Sequence, residues 1–177
     1  SLLVGATLAV AGAVMQAVFG NPLAEPGVVG VSAGAALGAV IAIAFGAALL
    51  GGWAVAALAF AGGALATGGV YLTARSGGRT EVVTLLLTGI AVNAFAGAGL
   101  ALVMFVADSG SREQIVFWQL GSMNGSRWSE VLLVAAVGIP AAAVAIALGR
   151  RYDLLALGER TATHLGLRVE RLRIVSI

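Results

Sequence analysis

Few side chains in this sequence could carry out acid–base, nucleophilic or metal chemistry. The one histidine, His164, has no second ligand at a spacing that would hold a metal ion. Cysteine is absent, which excludes disulfides and thiolate metal sites. Neither an HExxH motif nor a glycine-rich phosphate loop is present, and the acidic residues lie in loops or at the ends of the long apolar stretches. An enzyme working in an apolar environment would need a nucleophile and a base there, and the sequence provides neither.

The few polar side chains inside otherwise apolar stretches include Gln16, Thr84, Thr88 and Asn93. Polar groups in such surroundings usually face a bundle interior or a water-filled path. Asn93 is equally consistent with a hydrogen bond between helices and with the lining of a path. Thr84 and Thr88 share one helix face, but a threonine can also bond to a carbonyl of its own helix. For these residues, a packing role and a path-lining role both stay open at this point.

The composition indicates that lipid surrounds the chain. Of 177 residues, 60% are hydrophobic and only 10% are charged, and the mean hydropathy is +1.03. Soluble domains carry about 25% charged residues. The composition therefore excludes an ordinary soluble enzyme, a disordered tail and a nucleic-acid-binding domain.

Stretches without charge define the expected spans. A membrane helix needs about 20 apolar residues, and the longest charge-free stretch, 26–74, accommodates two helices with a turn at Gly51. Helices satisfy their own backbone hydrogen bonds in lipid, and the stretches lack the alternation of membrane strands. We therefore predict an all-α, polytopic transmembrane helical bundle forming a single partial domain with about five spans. The spans are expected at 2–19, 28–50, 52–74, 81–106 and 130–149.

The arginines predict the orientation of these spans. Lysine is absent, and eight of the 10 basic residues fall in the loops 20–27 and 75–80 and in the tail 150–177. Five spans place these segments on one side and the segment 107–129 on the other. Because positive charge accumulates on the cytoplasmic side of membrane proteins, we expect the first group to be cytoplasmic.

The segment between the last two spans carries helical signals. Ser111 and Gln114 have the spacing of a capping box, and Gly121 ends the apolar run that follows. This pattern predicts a short re-entrant or interfacial helix on the outer side. Ser129 is then expected to cap the last span.

The tail is of mixed polarity and too short to cross a membrane. Residues 153–158 resemble one helical turn ending at Gly158, and residues 159–165 resemble a second, with Gly166 as its C-cap. The tail therefore predicts two short helices on the cytoplasmic face, after which the chain resembles the start of another span.

Small residues recur every four positions in the second span, at Gly30, Gly34, Gly38, Ala42 and Gly46. This spacing places them in a ridge on one helix face, where a neighbouring helix can approach closely. We predict that the glycines of this ridge serve helix packing.

Several motifs follow one another along nearly the whole chain. They are 5–16, 19–27, 30–35, 85–91, 117–122 with Trp128, 154–159, Ala162 and 165–166. Together they resemble the FecCD-type permeases, the membrane subunits of ABC importers for ferric siderophores, haem and cobalamin. The chain starts inside an apolar stretch, and the resemblance implies a fragment from the second span of a longer permease into its seventh.

The resemblance also implies partners and a location. A second permease copy or a homologous half would pair with the chain, ATPase subunits would dock beneath it, and an extracytoplasmic binding protein would deliver the substrate. ATP and Mg²⁺ would be used by the ATPase, and this chain would bind no cofactor, no metal and no nucleic acid. The location would be the bacterial inner membrane, in contact with lipid.

Roles for individual residues follow from the resemblance. The short tail helices would transmit ATPase movement to the spans by shear or hinge motion. The implied ATPase-coupling residues are Leu154, Leu155, Ala156, Leu157, Gly158, Glu159, Leu165 and Gly166. The implied residues of the translocation path or its cytoplasmic gate are Thr88, Asn93, Ser76, Gly77, Gly78 and Thr80.

Two functions of other classes stay open at this stage. An intramembrane enzyme would require catalytic residues at membrane depth. A structural membrane protein without transport activity would bind no ATPase subunit. Within the importer interpretation, the choice among siderophore, haem and cobalamin is also open.

Overall fold

The computed structural model describes residues 1–46, 53–76 and 79–177. In chain order the helices are α1 (Leu2–Phe19), a 3-10 helix (Pro26–Val29), α2 (Val31–Ala44), α3 (Ala54–Ala74), α4 (Val82–Val106), α5 (Ser109–Leu120), α6 (Trp128–Ala147), α7 (Gly149–Ala156), α8 (Glu159–His164) and α9 (Val169–Ser176). Between α3 and α4, the two-residue strands β1 (Arg75–Ser76) and β2 (Arg79–Thr80) pair antiparallel.

Four of these helices, α1, α3, α4 and α6, are long and apolar enough to cross a membrane. Their bounds agree with four of the predicted spans to within about two residues. The predicted span 28–50 corresponds to α2, an apolar helix of 14 residues. The predicted end of that span and the turn at Gly51 lie outside the described residues. The prediction of an all-α transmembrane bundle is confirmed.

Contacts divide the chain into two compact units, one made of Ser1–Pro26 with Met123–Ile177 and the other of Gly27–Ser122. In the first unit α1 packs against α6. Gly138 lies on Thr7, because a Cβ atom added to this glycine would come 2.6 Å from the threonine methyl group. The absence of a side chain at Gly138 therefore permits the two helices to approach closely.

The second unit is organised around α2, which contacts α3, α4 and α5. Its apolar core contains Val40, Ile43, Val103, Ala107 and Ile115. Ile115 is fully buried and is the residue through which α5 enters this core. The short helix between the last two spans is thus packed into the bundle on one face.

The predicted N-cap of α5 is wrong. The helix begins at Ser109, and its N-cap is Asp108 rather than Ser111. The Asp108 carboxylate accepts hydrogen bonds from the amides of Gly110 at 2.9 Å and Ser111 at 3.0 Å. The Ser111 hydroxyl donates to the same carboxylate at 2.6 Å. An ionised carboxylate is a stronger acceptor than a hydroxyl, so the aspartate takes the cap position.

The predicted cap of α6 is also displaced. The helix begins at Trp128, so Ser129 lies in its first turn. The cap residue is Arg127, whose backbone N–H donates to Glu130 Oε2 at 3.1 Å. The prediction that Gly121 ends the preceding helix is confirmed, because Gly121 is the C-cap of α5 with a φ of 68°.

Candidate functional site

Three short helices, α7, α8 and α9, follow α6 and are called the tail segment below. Gly158 turns the chain between α7 and α8 with a φ of +99°, and Gly166 turns it after α8 with a φ of +86°. The Leu167 amide donates to the Ala162 carbonyl and the Gly166 amide to the Thr163 carbonyl, each at 3.0 Å. This pair of bonds is the Schellman pattern that ends a helix at a left-handed glycine. The predicted helix ends at both glycines are confirmed.

One side of the tail segment packs on the C-terminal half of α1. The spacings of Tyr152 to Leu155 and of Val169 to Leu172 place each pair on a single helix face. The buried residues of this core are Val14, Val18, Tyr152, Leu155, Ala162, Val169 and Leu172. Side-chain packing, and not only the chain connection to α6, therefore attaches the tail segment to a membrane helix.

The opposite side of the tail segment is exposed. Leu157 is 62% exposed and Leu165 is 59% exposed. The exposed members of the predicted ATPase-coupling set are Ala156, Leu157, Gly158, Glu159, Leu165 and Gly166, while Leu154 is half-buried. Leu155 is only 7% exposed and belongs to the core on α1. Its side chain attaches the segment to α1, and a role of Leu155 in ATPase coupling stays a prediction.

An ion pair joins α8 to α9. The Arg173 guanidinium donates through Nη2 to Glu159 Oε2 at 2.9 Å and through Nη1 to Glu159 Oε1 at 3.3 Å. The arginine side chain is 4% exposed and the glutamate side chain 54%. Two-point pairing of this kind fixes orientation as well as distance. Sequence reasoning missed the pair, because the two residues lie on separate helices and share no periodic pattern.

A second polar link joins α7 to α9. The Ser176 hydroxyl donates to the Leu172 carbonyl at 2.6 Å, and its oxygen lies 2.8 Å from the Tyr152 hydroxyl. Because the serine has a single hydroxyl proton, the tyrosine must be the donor in the second bond. Together with the ion pair, this link connects all three helices of the tail segment.

The predicted path residues on α4 occupy different surroundings. Thr88 is half-buried. Asn93 Nδ2 donates to the Gly27 carbonyl at 3.2 Å. This bond shows Asn93 linking α4 to the start of the second unit, which is the packing interpretation of this residue. A role in lining a path stays a prediction for both residues.

Two of the predicted gate residues, Ser76 and Thr80, lie on the paired strands β1 and β2. Thr80 is buried, with 4% of its surface exposed, and pairs with Arg75 across the two strands. Ser76 pairs with Arg79 through the backbone. Gly77 and Gly78 lie outside the described residues, so their assignment to a gate stays a prediction.

The glycine ridge of α2 brings two helix backbones together. A Cβ atom added to Gly34 would lie 2.5 Å from the Gly62 carbonyl oxygen, and one added to Gly38 would collide with the Leu58 carbonyl oxygen. Both partners belong to α3. Gly30, the N-cap of α2 with a φ of 83°, lies against α4, where an added Cβ would come 2.9 Å from Val92 Cγ1. These three glycines pack as the small-residue pattern predicts.

Gly46 does not continue this ridge, because it lies beyond the end of α2. Helix α2 ends at Ala44, and its C-cap is Phe45. Gly46 follows with a φ of 69°. The four-residue spacing predicts a shared face only while the chain remains helical, and a left-handed glycine after the C-cap is typical of a helix end.

Hydrogen bonding at the start of α5 perturbs one carboxyl group. The Ser111 hydroxyl and amide, together with the Gly110 amide, bond to the Asp108 carboxylate and hold its pKa below the ordinary value of 3.8. Hydrogen bonds to the ionised form favour that form. Asp108 therefore stays charged at neutral pH and caps the helix there.

Metal-binding clusters are not found in the described part of the chain, where no three or more histidine, cysteine, aspartate or glutamate side chains come together in a suitable group. This part of the chain consists of packed apolar helices and a tail segment whose helices are joined by polar links.

The sequence model of the FecCD transport family matches residues 1–177. The chain belongs to the FecCD transport family.

Curated relatives of this FecCD chain are permease proteins. The cobalamin import system permease protein BtuC of Halobacterium salinarum is 41% identical over 170 residues, which cover 95% of this chain and 45% of that protein. The hemin transport system permease protein HmuU of Yersinia pestis is 34% identical over 177 residues, which cover 98% of this chain and 53% of that protein. The FecCD chain thus spans about half the length of the curated relatives it matches.

A solved structure has the same fold as the FecCD chain. It is described as a metal-chelate type ABC transporter in an inward-facing conformation. The two share 30% sequence identity and a TM-score of 0.89, over 99% of this chain and 56% of the other. Membership of this family and the apolar helices imply a multi-pass protein of the inner membrane.

Proposed function

We propose that the chain is part of the permease subunit of an ATP-driven importer that moves a bulky metal chelate into the cell. The observation that carries the proposal is the FecCD family match over residues 1–177. Relatives named for cobalamin and for hemin support a substrate from the cobalamin, haem and ferric-siderophore group. The intramembrane-enzyme and structural-protein alternatives receive no support from these comparisons.

In this proposal the tail segment is the contact for a separate ATPase subunit, which hydrolyses ATP with Mg²⁺ in place of this chain. Support comes from its two unlike sides. The exposed Leu157 and Leu165 offer apolar surface to a partner, and the opposite side is packed on Val14 and Val18 of α1. A push on the exposed side would therefore move α1 as well as α6, since both are attached to the segment.

The proposed orientation places the loops 20–27 and 75–80 and the tail segment in the cytoplasm. The arginine distribution supports it, with eight of 10 basic residues in these parts of the chain. An extracytoplasmic binding protein would then deliver the substrate to the side that carries α5. Thr88, Asn93 and Thr80 are proposed to lie along the path or at its cytoplasmic gate, and a second permease copy or half would complete its wall.

Transport in a reconstituted system tests this function. The full-length permease would be placed in liposomes with its ATPase and binding protein, and ATP-dependent uptake of labelled cobalamin, hemin and a ferric siderophore would be followed in parallel. We expect uptake of one of the three to exceed the other two by at least about tenfold. If no substrate enters and no ATPase subunit co-purifies, the importer proposal is overturned.

A pair of matched variants tests the coupling contact. Leu157→Glu places a charge on the exposed side of the tail segment, and Leu23→Glu places the same charge on an exposed leucine of the loop 20–27. We expect the first to lower uptake at least tenfold and to reduce co-purification of the ATPase, while the second leaves both within twofold of the wild type. Equal uptake and equal co-purification of the ATPase in the two variants would show that the ATPase contact lies elsewhere.

A further inference from the structure

An open cleft in the tail segment collects positive charge beside apolar side chains. It encloses about 430 Å³ and is lined by Arg151, Arg168 and Arg171, with Leu148, Leu172 and Val175 among its apolar walls. This volume lies in the range of small-molecule sites and exceeds what a single inorganic anion needs. The cleft therefore has room for a ligand with both an anionic and an apolar part.

The three arginines are not neutralised within the described part of the chain. All are exposed, and the ion pair that is formed in this region uses Arg173, which does not line the cleft. No aspartate or glutamate is among the lining residues. Guanidinium groups bind phosphate oxygens at two points, which makes such a set suited to a phosphate-bearing ligand.

The position of the cleft along the membrane normal indicates which class of phosphate-bearing ligand it would bind. Leu148 is the C-cap of α6, a 20-residue helix long and apolar enough to cross a membrane. The cleft thus opens where a membrane helix ends, which is the depth of phospholipid headgroups. Basic pockets at this depth bind anionic headgroups, and the apolar walls match the first carbons of the acyl chains.

We propose that this cleft is a binding site for an anionic phospholipid, with the three arginines holding its phosphate groups. The site adjoins the proposed ATPase contact: Leu157 and Leu165 do not line it, but Gly166, which belongs to the predicted coupling set, does. Bound lipid would neutralise charge on the tail segment and fasten its α9 side to the membrane surface.

Binding by the full-length permease in detergent tests the proposal, with cardiolipin, phosphatidylglycerol and phosphatidylcholine as probes and native mass spectrometry as the readout. The variant is Arg168→Gln with Arg171→Gln, and the matched control is Arg150→Gln with Arg160→Gln, which removes the same charge from exposed arginines that do not line the cleft. We expect the variant to weaken binding of both anionic lipids about thirtyfold, since each arginine near an anionic lipid contributes a factor of about five. The control should change it less than threefold.

Three outcomes would overturn the assignment. Equal weakening by variant and control would mean that only overall charge matters. Displacement of the lipid by millimolar inorganic phosphate would identify a site for a free anion. Unchanged lipid binding together with lost ATPase co-purification in the variant would assign the arginines to an acidic protein surface.

Discussion

Arg173 and Glu159 lie 14 residues apart on different helices, and both nitrogens at the end of the arginine donate to the same carboxylate. The arginine is almost fully buried, whereas the glutamate is half exposed. The pair thus joins α9 to α8 and gives the buried guanidinium a carboxylate partner. If this pair holds α8 and α9 together, the tail segment can transmit movement as one unit.

Glu159→Ala is expected to destabilise the tail segment. It removes the Glu159 carboxylate from the buried Arg173 guanidinium, and loss of one partner of a buried charged hydrogen bond costs about 1–3 kcal/mol. Glu159→Gln keeps one acceptor oxygen and should cost less. Unfolding of the full-length permease in detergent measures both, with Asp153→Asn as an exposed control. Stability unchanged in Glu159→Ala would mean that the pair contributes nothing.

Gly38→Ala is expected to destabilise the permease by about 1–3 kcal/mol, the usual cost of forcing an extra carbon into a packed interior. The added methyl would collide with the Leu58 carbonyl of α3. Gly97→Ala is the matched control, because its methyl meets no atom within 4 Å and alanine favours a helix by up to about 1 kcal/mol. The two substitutions should therefore have opposite signs in the same unfolding assay. The same sign for both would contradict the close backbone contact.

Asn93→Ala separates the two interpretations of that residue. Loss of the bond to the Gly27 carbonyl should lower stability by about 1 kcal/mol, as for other hydrogen bonds between membrane helices. If packing is its whole role, uptake per folded transporter should stay within twofold of the wild type. A large fall in uptake with unchanged stability would assign Asn93 to the path instead. Thr88→Ala, at a half-buried position of the same helix, provides the comparison.

Acid should loosen the start of α5. The pKa of Asp108 is lowered in the folded state by the Ser111 and Gly110 bonds, so the capping contribution is complete above the unfolded value and is lost as pH falls through the folded one. Amide exchange at residues 110–111, corrected for intrinsic rates, should stay slow from neutral pH to about pH 4 and accelerate below it. Asp108→Asn can still cap the helix but does not titrate, so its exchange should lack this acid step. Glu113→Gln serves as the control and should retain the step.

The sequence predicted the membrane helices well because length and hydropathy decide them locally. Four spans appear within about two residues of their expected bounds. The glycine ridge was also predicted from the sequence, but the helix that packs against it was not. The spacing of Gly34 and Gly38 does not indicate that they contact the carbonyl oxygens of Gly62 and Leu58. Close approach depends on a second helix, and a single periodic pattern carries no information about its neighbour.

The sequence predictions that were wrong depend on local competition or on packing that a spacing pattern does not describe. Ser111 fits the capping pattern, yet Asp108 three residues earlier is the better acceptor and moves the helix start. At Gly46 the spacing suggested packing, where the chain instead leaves the helix. Most of the candidate coupling surface could be read from its motif, but its division into the exposed Leu157 and the buried Leu155 required the contact with α1.

The packing of the tail segment on α1 also sets an order of events during synthesis. Val14 and Val18 are made near the beginning of this chain, and their partners Tyr152 and Leu172 near its end. At about 5–20 residues per second, the ribosome needs on the order of ten seconds to cover that distance. Throughout this interval Val14 and Val18 lack these partners, and α1 meets them only when translation of the tail segment is complete.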